Sequence, residues 1–329
     1  MAKESKDFKV GEILRLAKEC ALQAGEFVAK ARRKNFVDRQ NNIENVKIMT
    51  KSNTSDVVTE TDQKSEALIT SMIRKRYPKH QIIGEESSSG GYNLTDKPTW
   101  IIDPIDGTTN FLHGFPYTCV LVSFAVGRKV VVAVCRDAIH DETFYATRGG
   151  GAFMESPWYS GRIRTSGCGA QLQRAYVMVD AGYGRTNKDI LRFHSRCREL
   201  LQHNVQGIRV VGSCGLNMAY VACGRVDGYV EENCPKLWDF APGSLLVEEA
   251  GGYVGNPDGS QPLNLMGRSV LCAATKDLAL RLKDVVTEAD KYLDSITKDV
   301  AAMVAGADGD SEQHAAAAAD ETRAAFSKL

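Results

Sequence analysis

No apolar run in this 329-residue chain approaches the roughly 18 to 20 residues that a membrane-spanning helix needs, and no signal peptide opens it. A soluble, reduced, intracellular protein is expected. Charge of one sign is not in excess either: 41 Lys and Arg balance 41 Asp and Glu, so no global field draws the chain to nucleic acid or to an anionic membrane. Any recognition of phosphate must be local. The nine cysteines are odd in number and none forms a C-x-x-C pair, which argues against a disulfide framework and against a zinc cluster. The six histidines, His80, His113, His140, His194, His203 and His314, lack zinc-ligand spacing and are expected at the surface or in the core. What is present is ordinary globular composition, 43% hydrophobic and 25% charged, enough to bury a core in one large domain or two.

The most informative stretch is Thr99 to Phe111, TWIIDPIDGTTNF. Trp100, Ile101 and Ile102 have the character of a buried strand, and the run stops at Asp103, Pro104, Asp106 and Gly107. A strand thus delivers two carboxylates into a turn. Pro104 has a fixed φ and no N–H, so the backbone between the acids is stiff and the Ile105 carbonyl is free to point elsewhere. Two acids and a carbonyl facing one small volume need a counter-charge, and oxygen ligands of this kind suit Mg2+, with Mn2+ as an alternative. By itself D-P-x-D-G also describes a solvated turn, so the rest of the chain has to decide.

Val10, Ile13, Leu14, Ala17, Ala21, Ala24 and Val28 recur at helical spacing and predict an amphipathic first helix. A polar stretch follows, then a short strand at Val57 to Thr59 leading to Asp62, and a helix from about Gln63 to Tyr77 stopped by Pro78. Gln81 to Ile83 reads as a brief strand ending at Gly84, Glu85 and Glu86, a second strand end that presents acids. Ser87 to Thr95 looks like a mobile loop able to close over a site. Thr118 to Val126, Lys129 to Arg136 and Thr143 to Thr147 predict an antiparallel meander. Further strands are expected at Ala175 to Asp180, Ile208 to Val211, Val226 to Glu231 and Val270 to Ala274. Helices are expected near Lys188 to Leu201, from Cys214 through Ala222, from about Ala241 to Ala250, and from Asp277 to about Tyr292. Pro242 is placed in the first turn of its helix, and Asp239 just before it serves equally as an N-cap or as a ligand. From about Leu293 the chain turns Ala-rich, so residues 293–329 are expected to form a weakly packed tail after a domain of residues 1–292.

Five segments in register make the chain resemble the inositol monophosphatases over roughly Val10 to Glu288: DVVTETDQK around Asp62, IIGEES around Glu85, WIIDPIDGTTNFLHGFP from Trp100, VGSCGLNM from Val211, and LWDFAPG followed by EEAGG. D-P-x-D-G alone would admit the whole lithium-sensitive phosphatase superfamily, whereas Thr109, Asn110, Phe111, Phe115 and Pro116 look like the inositol branch. The resemblance implies an α+β fold, a layered αβαβα sandwich with a mostly antiparallel sheet and a smaller mixed sheet, in a homodimer. It implies a lithium-sensitive phosphomonoesterase that hydrolyses myo-inositol monophosphates to inositol and phosphate with Mg2+ ions, two or three per site. Residue by residue, it implies Glu85, Asp103, the Ile105 carbonyl, Asp106 and Asp239 as metal ligands. Asp62 and Thr108 would orient and activate the attacking water, Gly107, Thr108, Gly212 and Ser213 would lie near the phosphate, and Glu231 would bind sugar hydroxyls.

The chemistry of these residue types supports that assignment on its own. Phosphate-ester hydrolysis needs neutralised oxygens, an in-line water and a stabilised leaving alkoxide, and two metals about 4 Å apart supply all three. Asp103 can bridge two ions, with Glu85 and the Ile105 carbonyl on one and Asp106 with Asp239 on the other. Thr108 can accept from a metal-held water while donating to Asp62, the base. Gly107 admits close backbone approach, and the N–H groups that open the helix after it form an anion site. Cys214 has no His in its motif and reads as pocket lining rather than as a nucleophile. Lys51 could contact phosphate, although a lone Lys in a polar loop is more often solvated.

Three departures from the family pattern bear on the substrate. One extra residue stands between Glu231 and Trp238, so Glu232 competes with Glu231; Tyr183 sits in Gly-Tyr-Gly where a small polar residue is common; and Cys214 replaces a usual Ala. A broader sugar-phosphate or 3'-nucleotide bisphosphate phosphatase therefore stays open. So does a non-catalytic phosphate-binding homologue, against which the complete set Asp62, Glu85, Asp103, Asp106, Thr108 and Asp239 argues. The chain ends in Ser327, Lys328 and Leu329, the S-K-L import signal. A peroxisome-type organelle, glycosomes included, is expected, besides a cytoplasmic pool, with the import receptor as partner.

Overall fold

The computed structural model describes residues 8–41, 48–50, 57–88 and 90–307. Lys51, His314 and residues 327–329 lie outside them. Helix α1 (Val10–Gln40) precedes a two-stranded ribbon of β1 (Ile48–Thr50) and β2 (Val57–Thr59), and α2 (Glu60–Arg76) follows. Next come β3 (Gln81–Gly84), β4 (Thr99–Asp106), the short α3 (Thr108–His113), and the strands β5 (Cys119–Val126), β6 (Lys129–Asp137), β7 (Glu142–Thr147), β8 (Gly151–Glu155) and β9 (Ser160–Arg162). The second half runs β10 (Tyr176–Val179), α4 (Asn187–Gln202), β11 (Gly207–Arg209), α5 (Cys214–Ala222), β12 (Gly228–Glu232), α6 (Leu237–Glu249), β13 (Tyr253–Gly255), β14 (Ser269–Ala273) and α7 (Lys276–Ala307).

Strands β3 to β9 form a seven-stranded sheet in sequence order, parallel only between β3 and β4. The five-stranded sheet has the order β11-β10-β12-β14-β13 and is mixed: β10 is parallel to both neighbours, whereas β14 is antiparallel to both of its own.

Alternation along the strands sets the layers. Trp100, Ile102, Val120, Val122, Val132 and Val134 share a core with α1 and α2, while Ile101, Leu121, Ala133 and Cys135 share one with α5 and α6. On the far side of the second sheet, Val177, Val179 and Leu271 pack with Leu200 of α4 and with Leu278 and Leu282 of α7. The result is the αβαβα sandwich implied by the sequence. Helix α6 lies between two sheets and is therefore apolar all round, with Leu237, Trp238, Phe240, Ala241, Leu245 and Leu246 buried. No helix among the described residues is long and apolar enough to cross a membrane.

Strand β4 runs on through Asp103 and Pro104 to Asp106, where the sequence predicts a turn, several other strand ends shift by one or two residues, and three helix boundaries differ for an identifiable reason. Helix α2 begins at Glu60 because Thr59 and Asp62 form a capping box, which a hydrophobic pattern does not reveal. Helix α6 begins at Leu237, so Pro242 lies inside it rather than in its first turn. Burial between two sheets holds that helix despite the hydrogen bond the proline removes. Helix α7 does not stop near Tyr292: Val285, Val286, Ala289 and Leu293 keep helical spacing and are buried, and the helix runs on to Ala307.

Candidate active site

Because β3 and β4 are parallel, Glu85, at the exit of β3, stands level with Asp103 in β4. Gly84 pairs with Ile102, and the Glu85 N–H still donates to the Ile102 carbonyl at 3.1 Å. Asp103 and Asp106 are three residues apart, an odd spacing that would send them to opposite faces of a regular strand. The register resolves this: Asp103 pairs with Leu121 and Asp106 with Cys119, so three steps along β4 answer to two along β5. The irregularity at Pro104 and Ile105 brings both acids to one face. Asp239 joins them from the first turn of α6, where its carboxylate also caps the Lys236 N–H. The N-cap position that the sequence offered it belongs to Lys236; Asp239 is the third residue of the helix and answers the cap from inside while it joins the acids.

Asp103, Asp106 and Asp239 each offer a carboxylate oxygen, and these atoms lie within 4.8 Å of one another. Asp106 Oδ2 accepts from Ser213 Oγ at 2.6 Å and from the Gly215 N–H at 2.7 Å. Asp103 Oδ1 accepts from the Ile105 N–H at 3.0 Å, but Asp103 Oδ2 is buried with no hydrogen-bond partner. Burial, then the like charges of Glu85, Asp106 and Asp239, push Asp103 well above the usual carboxylate range. Burial also raises Asp106 to about 6, against the pull of its Ser213 and Gly215 hydrogen bonds, and raises Asp239 to about 8 with help from Glu85 and Asp106. Crowded acids around an unpaired buried oxygen are stable together when a cation neutralises them. A donor set of oxygens alone fits a hard divalent cation.

Beside the acids, Asp62 is held at both oxygens. Its Oδ2 accepts from the Thr59 N–H at 2.9 Å and from Thr59 Oγ1 at 2.5 Å, and its Oδ1 accepts from Thr108 Oγ1 at 3.2 Å. Thr108 also reaches the Ile105 carbonyl at 3.0 Å. One hydroxyl hydrogen therefore serves two acceptors. Gly107 has φ +85, and a Cβ there would lie 2.9 Å from the Tyr117 carbonyl oxygen and 3.1 Å from that of Gly212. Only glycine both adopts this backbone and lets the two loops meet.

These groups open onto a cavity of about 350 Å³. It is lined by Asp106, Gly107, Thr108 and Asp239 of the acid-bearing segments and by Asp180, Tyr183, Gly212, Ser213, Cys214 and Glu231. Of the sequence-predicted site residues, Asp103, Asp106 and Asp239 form the acid cluster, Gly107, Thr108, Gly212, Ser213, Cys214 and Glu231 line the cavity with Asp106 and Asp239, and Asp62 is tied to them through Thr108; Glu85 acts on the cluster by its charge. Burial, then the charge of Asp180, pushes Glu231 well above the usual range, and the Tyr229 hydroxyl donates to it. Glu232 points away and pairs with Arg196 Nε at 2.8 Å, so of the two candidates it is Glu231 that lines this cavity. The buried Cys214 thiol is pushed well up by desolvation and has the character of wall, not nucleophile. Tyr183 is partly open to solvent, yet the charges acting on its hydroxyl after burial are those of Cys234, Asp239, Glu85 and Glu231.

Two residues escaped the sequence reading. Asp180, at the exit of β10, accepts from the Val211 and Gly212 N–H groups at 3.1 and 2.9 Å. Glu66 of α2, buried, accepts from the Glu86 and Ser87 N–H groups at 2.7 and 3.0 Å and so holds the turn that carries Glu85. An acid ending an apolar strand was the available signal for Asp180; Glu66 gave none.

Comparison with known proteins agrees with this geometry. The chain is 39% identical over 281 residues to inositol monophosphatase 2 of Solanum lycopersicum, covering 84% of this chain and 97% of that one. It is 37% identical over 274 residues to inositol monophosphatase 1 of Homo sapiens, covering 82% and 92%. Among solved structures, the Thermotoga maritima IMPase is similar with a TM-score of 0.71 and 28% identity, over 86% of this chain and 99% of that one. The family model for the inositol monophosphatases matches residues 9–291, a span that holds the acid cluster, the Asp62–Thr108 pair and the cavity, and the chain belongs to that family.

Proposed function

We propose that the protein is a Mg2+-dependent phosphoric monoester hydrolase that releases phosphate from myo-inositol monophosphates. The observation that carries this reading is the convergence of Asp103, Asp106 and Asp239 around a buried oxygen without a donor, next to the Asp62–Thr108 pair. Glu85, Asp103, the Ile105 carbonyl, Asp106 and Asp239 would hold two or three Mg2+ ions, which when bound neutralise phosphate oxygens and acidify water. Thr108 then orients the nucleophile. With the Ile105 carbonyl engaged elsewhere, its single hydrogen goes to Asp62 Oδ1 and an oxygen lone pair is left for a water. Asp62, clamped by Thr59, takes the proton. Gly107 and Thr108 border the phosphate from one side and Gly212 with Ser213 from the other, leaving Cys214 and Glu231 to face the sugar ring. A cavity of about 350 Å³ is at the small end for ligand sites and favours a single ring over a nucleotide.

A phosphate-release panel over inositol monophosphates, fructose 1,6-bisphosphate and adenosine 3',5'-bisphosphate, with and without Mg2+ and Li+, tests this. The inositol esters should be hydrolysed fastest, only with Mg2+, and Li+ should inhibit. Asp106→Asn should lower turnover by about 10²- to 10³-fold, the scale of losing one preorganised group, and weaken Mg2+ binding. Turnover close to the parent's would overturn the scheme. A homodimer is proposed on the family's behaviour, to be checked by light scattering. We also propose import into a peroxisome-type organelle through residues 327–329; a fluorescent fusion should be punctate and turn diffuse when those residues are removed.

A further inference from the structure

We propose that Asp180 is the positioning residue of the substrate wall: it fixes the Val211–Gly212 peptide, and with it Ser213 and Cys214, against the loop that carries Thr108. The inference rests on the phosphatase reading of the cavity. Asp180 Oδ1 accepts from the Val211 and Gly212 N–H groups at 3.1 and 2.9 Å, and its Oδ2 accepts from Asn217 Nδ2 at 2.5 Å. From the other side, Asn110 Nδ2 donates to the Val211 carbonyl at 2.7 Å, the Gly212 carbonyl at 3.2 Å and the Tyr117 carbonyl at 2.9 Å. The Tyr117 hydroxyl donates to Asn217 Oδ1 at 2.9 Å and closes the circuit.

The wall peptide is thus gripped by its N–H groups from the five-stranded sheet and by its carbonyls from α3, which follows the acid-bearing strand. Gly212 sits at φ +76, a conformation that the paired grips hold and that other residues rarely adopt. Its N–H is committed to Asp180. Gly212 therefore shapes the wall by where its Cα and carbonyl lie, not by donating to a phosphate. The acid cluster touches this clamp only through Ser213 and has holds outside it: the Gly215 N–H on Asp106, the Ile105 N–H on Asp103 and the Lys236 N–H on Asp239. The two sides of the cavity should separate when Asp180 is changed.

Isothermal titration of the Mg2+-loaded protein with inorganic phosphate reads the wall without turnover, and steady-state kinetics read it with turnover. Asp180→Ala should weaken phosphate binding and raise KM about 10-fold, the scale of losing charge-assisted hydrogen bonds, with kcat within about threefold and Mg2+ half-saturation within about twofold of the parent. A purely structural role would lower the active fraction and leave both affinities unchanged, which would overturn the proposal. If Asp180→Ala does not fold, the exchange decides. Asp180→Asn sets two amide groups facing each other, and adding Asn217→Asp restores one donor, one acceptor and the same charge. The double variant should recover phosphate affinity to within about threefold of the parent; a double variant no better than the single one refutes the clamp. Absence of turnover in the unaltered protein would refute the phosphatase reading instead, with the titration still deciding the role of Asp180.

Discussion

The acid cluster and the rest of the cavity lining, the proposed metal and sugar sides, are built by different means. On the metal side, Asp103, Ile105 and Asp106 come from a single strand end, Glu85 from its parallel neighbour, and Asp239 from a helix start. Local backbone devices aim them: a proline without an N–H, a register shift, a capping interaction. On the proposed sugar side, Asp180 and Tyr183 follow β10, Cys214 opens α5 and Glu231 stands on β12, so they meet only when strands and helix far apart in sequence have assembled around the five-stranded sheet. Chemistry is thus encoded in short segments and selectivity in tertiary assembly, which predicts that substitutions on the two sides will move different observables.

The largest expected effect on that division is at Asp62. Asp62→Asn keeps the shape but removes the proton acceptor, so kcat should fall by about 10² to 10⁴ while Mg2+ affinity is retained. The substitution also weakens the cap of α2, at about 1 kcal/mol of stability. Thr59→Ala removes the cap and spares the carboxylate. If it reduced kcat as much as Asp62→Asn, capping rather than proton transfer would explain the loss.

The acids themselves give a pH signature. Asp106 and Asp239 are raised to about 6 and about 8 in the folded chain, so between the unfolded carboxylate pKa, about 4, and those values the folded state holds more protons than the unfolded one. Stability in EDTA should therefore fall as pH rises from about 5 to 8. Bound Mg2+ requires the ionised acids, and its stabilisation should grow over the same window. Thermal unfolding at several pH values, with EDTA or Mg2+, reads this directly; a gain from Mg2+ that did not depend on pH would place the cation elsewhere.

A smaller effect belongs to Glu66. Glu66→Gln replaces one of the two carboxylate oxygens that hold the Glu86 and Ser87 N–H groups, which should loosen Glu85 and raise the Mg2+ half-saturation about 10-fold with KM for the ester little changed. A change in KM alone would assign Glu66 to the other side of the cavity.

How far the sequence revealed each side follows the same division. The D-P-x-D-G stretch is readable because its devices are local to five residues, and single helices and strands are readable from their spacing, whereas their layering came from the family resemblance. Asp180 was not, since its partners lie 31 to 37 residues further on and an acid after a strand looks like a solvated turn. Glu66 was hidden for a related reason: on α2 it looks like a solvent-facing helix residue, yet it folds over to a turn 20 residues away, where Gly84 leaves no Cβ in its path. Glu231 and Glu232 are adjacent on β12 and point to opposite faces, so choosing between them required knowing that Arg196 of α4 occupies one face. The length of α7 was masked by its Ala-rich composition, which resembles a tail although its apolar spacing continues.

Tyr183 should give the smallest effect and the sharpest test of where selectivity resides. Tyr183 lines the cavity, and the charges of Cys234, Asp239, Glu85 and Glu231 act on its hydroxyl. Tyr183→Phe removes the hydroxyl and keeps the ring, whereas Tyr183→Ser removes both and enlarges the cavity. A hydrogen bond to substrate is worth about 0.5 to 1.5 kcal/mol, so loss of the hydroxyl alone should change kcat/KM for inositol monophosphates by about 2- to 10-fold. Wall volume acts differently: Tyr183→Ser should then raise kcat/KM for fructose 1,6-bisphosphate relative to the inositol esters, while Tyr183→Phe behaves like the parent. Mg2+ half-saturation should hold in both, because Tyr183 stands on the sugar side. A shift in Mg2+ dependence with unchanged substrate preference would move Tyr183 to the metal side and erase the boundary between the two.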